Sequence, residues 1–163
     1  MLDKYFKAPL FWDYLLASIF SGAPFFFYLK SKIDLPEDNF IISMTSDLSN
    51  VALTLAGFIL TLLTVLITFK SGSNVQEKPD ETKKSVFELF FASGLYFLTI
   101  KHLKNCIKSL LLMATIGYSL KLCLSPSHYH LMYFFNIFSL VIIILTLWRS
   151  LLILTKILKL QKE

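Results

Sequence analysis

Arginine is almost missing from this 163-residue chain: Arg149 stands alone among sixteen basic residues. Bidentate recognition of phosphate therefore has almost no raw material, and direct nucleic-acid binding is not expected. Two cysteines are too few for a disulfide scaffold or a four-cysteine metal site. Five glycines and five prolines against sixteen phenylalanines exclude a collagen-like or disordered chain. A Gly-rich phosphate loop, a Ser-His-Asp set, an HExxH pair and a CxxC motif are all missing, so no enzyme, cofactor or metal is expected. What is abundant is apolar: 55% hydrophobic and 15% aromatic residues against 17% charged, with a mean hydropathy of +0.64. That is more apolar surface than a water-soluble domain of this size hides in one core, and it points to a membrane.

About 20 apolar residues cross a bilayer as a helix. The chain reads as one all-α, polytopic membrane domain over residues 1–163, with spans at about 10–29, 48–69, 106–124 and 131–150. Pro9 opens the first span and Lys30 closes it; the second runs from Val51 to Phe69 without a charge. Residues 70–105 are expected to be a cytoplasmic linker followed by a cytoplasmic or interfacial amphipathic helix. Charge decides that last point. With four spans and a cytoplasmic N-terminus, 13 basic residues lie inside and 3 outside, as the positive-inside rule requires. A fifth crossing at 85–100 would give 7 inside and 9 outside. Both termini are then cytoplasmic. The basic start at Lys4 and Lys7 also suits a signal peptide, but the apolar run that follows is too long for one.

One polar feature is patterned. Asp47, Asn50, Thr54, Gly57, Thr61, Thr64 and Thr68 follow each other at spacings of 3 and 4, which puts all seven on one helix stripe. From Asp47 to Thr68 the stripe is about 31 Å long, close to the ~30 Å hydrocarbon core. Packing is one reading, since small residues and Thr let helices approach closely; Ala52 and Ala56 add a small pair on a neighbouring face. The other is that copies of this helix surround an axis, with Thr hydroxyls along a narrow path and Asp47 carboxylates at its mouth.

Elsewhere, Asp13 lies about one turn inside the first span, where Lys4, Lys7 or Lys108 is expected to neutralise it in a structural ion pair. Asn136, Ser139, Thr146 and Ser150 suggest hydrogen bonds between helices. Cys106 and Cys123, some 25 Å apart along one helix, cannot bridge and are expected free and buried. His128 and His130 make only a weak metal signal. Lys101, Lys104 and Lys108 line a cytoplasmic basic face for anionic lipid or an acidic partner, preceded by an apolar face of Phe87, Phe90, Phe91, Leu95 and Leu98. The polar linker at 72–84 would extend that docking surface.

The order of features, with Leu48-Ser49 leading into Ala56-Gly57-Phe58 and its apolar run, resembles small four-span bacterial membrane proteins of anti-phage systems. The nearest design is the membrane subunit of the Kiwa defence system, with the membrane protein of the Rex phage-exclusion system comparable. The resemblance covers most of the chain in architecture. It implies an oligomeric inner-membrane sensor or channel that acts with a cytosolic partner, and it transfers no catalytic residue. The expectation is a homo-oligomer, a tetramer, with span two at its axis. The alternatives are a non-conducting four-span binding protein, such as a bacteriocin immunity protein, and a membrane scaffold for a cytosolic effector.

Overall fold

The computed structural model describes residues 8–73, 90 and 94–160. Four long α-helices carry these residues: α1 (Pro9–Leu29), α2 (Asp38–Ser73), α3 (Gly94–Cys123) and α4 (Tyr129–Leu160), with a short 3-10 turn, Pro126–His128, before α4. No strand occurs among the described residues. All four helices are long and apolar enough to cross a membrane.

Local chemistry explains the ends of α1. Pro9 stands in its first turn, where a missing N–H costs nothing. At the far end Ser31 adopts a left-handed φ of 51°, the Lys32 amide donates to the Phe27 carbonyl, and the Ser31 amide donates to that of Tyr28. This is a Schellman closure, with serine at the position usually given to glycine. Pro24 lies within the helix, and close by the Ser21 hydroxyl donates to the Phe134 carbonyl of α4 at 2.8 Å. Membrane helices tolerate proline where neighbours supply such links.

The helices alternate in direction, so the start of α1 and the end of α4 share one end of the bundle. Asp13 meets Arg149 there, while Tyr28 stacks on His130 at the other end. Helix α1 packs chiefly against α4, and α2 against α3. The core joins Ala52, Ala56, Ile59, Leu63 and Leu66 of α2 to Leu103, Cys106, Leu110 and Ala114 of α3 and Ile143, Ile153 and Ile157 of α4. At Gly117 the α2 and α3 backbones come so close that a Cβ would collide with the Ser49 hydroxyl. Close approach at small residues replaces the hydrophobic drive that lipid cannot supply.

The second and fourth helices extend beyond the expected spans, and α3 begins well before its own, being continuous from Gly94. A separate amphipathic helix is therefore not seen at 94–105, which is the first part of α3; the rest of that expected helix, with Phe87 and Phe91, and the linker from Asn74 on lie outside the described residues. The physical reason is that lysines on one side of a helix do not interrupt its backbone hydrogen bonds, while His102, Leu103 and Cys106 continue its buried face. Phe90 is buried against Tyr96, but Leu95 and Leu98 are exposed.

Charge is segregated along the bundle. The end with Pro9 and Leu160 carries Lys70, Lys101, Lys104, Lys108, Arg149, Lys156 and Lys159, and among the described residues its only carboxylate is Asp13. The opposite end carries Lys30, Lys32 and Lys121 with Asp34, Glu37, Asp38 and Asp47. We call these the basic and the acidic end.

Candidate functional site

Helix α2 is two-faced, and the division follows its sequence. The buried positions are Ile41, Thr45, Ser49, Ala52, Ala56, Ile59, Leu63 and Leu66. The stripe Asp47, Asn50, Thr54, Gly57, Thr61, Thr64 and Thr68 is exposed at all seven positions. At 100° per residue the centre of the stripe lies about 160° from that of the buried face. Among the described residues packing is thus done by the Ala52 and Ala56 side, and the stripe faces away from it, with Asn50 alone reaching another helix.

The stripe residues satisfy themselves locally. The hydroxyls of Thr54, Thr61, Thr64 and Thr68 donate to the carbonyls of Asn50, Gly57, Leu60 and Thr64, each four residues back, at 2.9 to 3.1 Å. A Cβ at Gly57 would meet nothing within 4 Å. Among the described residues only Asn50 of the stripe is tied to another helix, accepting from the Tyr118 hydroxyl of α3 at 2.5 Å. One turn earlier Lys121 donates to Ser46 at 2.7 Å. These bonds fix the rotation of α2 against α3 at the acidic end and leave Asp47 exposed beside them. Residues 64, 65, 68 and 69 outline a shallow recess on the same helix at the basic end.

The buried polar residues form two layers. At the basic end Arg149 donates from Nη1 to Asp13 at 2.6 Å and from Nε to the Cys106 sulfur at 3.3 Å. Arg149 and Asp13 are 0% and 1% exposed. Tyr14 and Ser109 share a hydrogen bond of 3.0 Å beside them, and His102 is buried one turn below Cys106. The layer stitches α1, α3 and α4. Nearer the acidic end, Thr45 donates to the Asn136 side-chain carbonyl at 2.9 Å, and Asn136 donates to the Ile41 carbonyl at 3.1 Å.

No protein-family model matches the chain, nor does any curated protein or solved structure.

Several expectations change at residue level. Asp13 pairs with Arg149, not with Lys108, which is exposed; Lys4 and Lys7 lie outside the described residues. Arg149 is one of the 13 basic residues in the cytoplasmic tally, yet its side chain is buried inside the bundle. The signal was present: a lone arginine in a lysine-rich chain suits a buried pair, because its planar, weakly hydrated head makes several fixed hydrogen bonds at once. Cys106 is buried as expected, whereas Cys123 is exposed, because it is the last residue of α3 and lies past the packed part of the helix pair. Asn136, Ser139, Thr146 and Ser150 are all buried. Asn136 bonds across to α2 as expected, but Ser150 donates to Leu147 of its own helix, and the Thr146 hydroxyl has no hydrogen-bond partner among the described residues. His128 bonds locally to Ser125 and Ser127. Lys101, Lys104 and Lys108 are exposed, as a basic face requires.

Proposed function

We propose that the chain is a self-associating subunit of the bacterial inner membrane, in which the α2 stripes of several copies, four in the simplest ring, meet around a common axis. The stripe would then be both subunit contact and polar path: Asp47 and Asn50 at the mouth, Thr54, Thr61, Thr64 and Thr68 along it, and Gly57 where two backbones approach. The basic end faces the cytoplasm by the positive-inside rule and offers docking for a cytosolic partner. The resemblance to anti-phage membrane subunits gives the setting, a sensor or channel that changes state on infection. One observation carries the reading: seven small or polar residues, spaced to cross the hydrocarbon, are exposed opposite the core of their own chain.

Gly57→Leu tests it. Among the described residues a Cβ there meets no side chain and no other helix within 4 Å, so the fold should keep its helix content. The mass of the particle in nanodiscs should fall from a discrete ring to a monomer, and Thr61→Val with Thr64→Val should keep the ring but change ion flux. A wild-type monomer, or a ring indifferent to Gly57→Leu, would remove the axial path. A second reading has its own observation. The four threonine hydroxyls are already bonded to their own backbone, which lets the stripe face lipid. In that case the chain is a non-conducting binding protein, of the bacteriocin-immunity kind, or a membrane scaffold.

A further inference from the structure

Two rulers fix the depth of the basic end. Helix α1 spans Pro9–Leu29, and Lys101 and Lys121 bound a stretch of equal length on α3; each is about 30 Å, one hydrocarbon thickness. The two are in register, because Asp13, one turn inside Pro9, meets Arg149, which reaches Cys106, just over one turn inside Lys101. Trp12 and Trp148, each adjacent to a member of the ion pair, are exposed at that level, where aromatic side chains favour the boundary between hydrocarbon and headgroups.

Lys101 therefore stands at the edge of the apolar layer, while Lys104 and Lys108 stand about one and two turns inside it. All three are exposed, and Leu111 and Leu112 continue the exposed surface toward the middle of the bilayer. A lysine at that depth is costly unless its ammonium group reaches back to the interface and finds a negative charge. The described residues supply none: Asp13, the only carboxylate at this end, is buried and held by Arg149. Among the described residues these three ammonium groups have no carboxylate partner, and beside exposed leucines at acyl-chain depth they suit a ligand that is both anionic and apolar.

We propose that Lys101, Lys104 and Lys108 form a binding site for an anionic phospholipid on the lipid-facing side of α3. Its phosphate lies among the three ammonium groups and its acyl chain runs along Leu111 and Leu112. The site rests on depth and charge alone, and holds whether or not copies of α2 form a ring.

The test uses the full chain in nanodiscs of phosphatidylcholine mixed with phosphatidylglycerol, with the lipids that stay on the protein after detergent extraction counted by native mass spectrometry. A lysine near an anionic headgroup contributes about a fivefold preference. The wild type should retain phosphatidylglycerol at least tenfold over phosphatidylcholine. Lys104→Gln with Lys108→Gln should cut that preference tenfold or more, Lys104→Arg with Lys108→Arg should keep it, and Lys30→Gln with Lys32→Gln, at the other end, should leave it unchanged. Equal retention of the two lipids by the wild type would overturn the site and leave the lysines to acidic side chains, whether of a protein partner or of this chain's own 74–93 segment. A glutamine variant that keeps the wild-type preference would overturn it as well.

Discussion

The two ends of the bundle hold their helices together by opposite means. At the basic end a charged pair, Arg149 with Asp13, is buried in the bundle and joined by Cys106. Toward the acidic end the links are neutral: Thr45 with Asn136, Asn136 with the Ile41 carbonyl, and the close approach of Gly117 to Ser49. The difference teaches where the structure is fragile. A charged link is self-sufficient only while both partners are present, and removal of one leaves the other as a buried ion. A neutral link degrades by steps, because a stranded amide or hydroxyl can turn to a carbonyl of its own helix.

The largest effect should therefore follow from Asp13→Ala. It removes the carboxylate that the Arg149 guanidinium bonds at 2.6 Å in a buried site and should cost about 3–5 kcal/mol of stability, read by reversible unfolding in mixed micelles. The companion measurement separates charge from packing. Asp13→Leu combined with Arg149→Met removes both charges and should lie within about 1 kcal/mol of the wild type, or above it. If the double variant were as unstable as Asp13→Ala, the pair would be valued for shape and not for charge balance, and the contrast between the ends would disappear.

A middle-sized effect is expected at Gly117. A side chain there forces apart the helices that Ser49, Ala52 and Ala56 bring together, and Gly117→Val should cost about 1–3 kcal/mol. The atom that an added Cβ meets first is the Ser49 hydroxyl, so Gly117→Ala should already lose stability and Ser49→Ala should recover much of what that variant loses. A lack of recovery would mean that backbone contact, and not this side chain, sets the helix separation.

How far each end could be read from sequence follows from the range of its interactions. The first two membrane-length helices were legible because an uninterrupted apolar run is a local signal, and the stripe and the Ala52–Ala56 pair were legible as helical repeats, but their near-opposite placement was not. The sequence put the pair on a neighbouring face, and which face meets another helix depends on residues far away in the chain. The whole length of α3 was not legible either: Lys101, Lys104 and Lys108 look like a boundary when charge is counted by position, although on one face they leave the helix and its buried side intact. Nor was the partner of Asp13, since 136 residues separate it from Arg149 and any lysine near the same level fits the same charge argument. The approach at Gly117 was hidden for a related reason. A lone glycine in an apolar helix says nothing about which helix lies opposite.

The smallest effect lies in the acidic-end network. Thr45 gives its proton to two acceptors, the Ile41 carbonyl of its own helix and the Asn136 side chain, both at 2.9 Å. Thr45→Val, a near-isostere, removes both bonds, yet the Asn136 amide keeps its own bond to the Ile41 carbonyl. The loss should be about 0.5–1.5 kcal/mol, and a double-mutant cycle with Asn136→Leu should give a coupling of about 0.6 kcal/mol, the usual scale between membrane helices. A coupling of several kcal/mol would mean that this layer behaves as a unit like the ion pair, and the two ends would then differ in chemistry but not in fragility. A coupling near zero would instead assign the hold at this end to small-residue packing around Gly117, with Asn136 serving only to satisfy the Ile41 carbonyl.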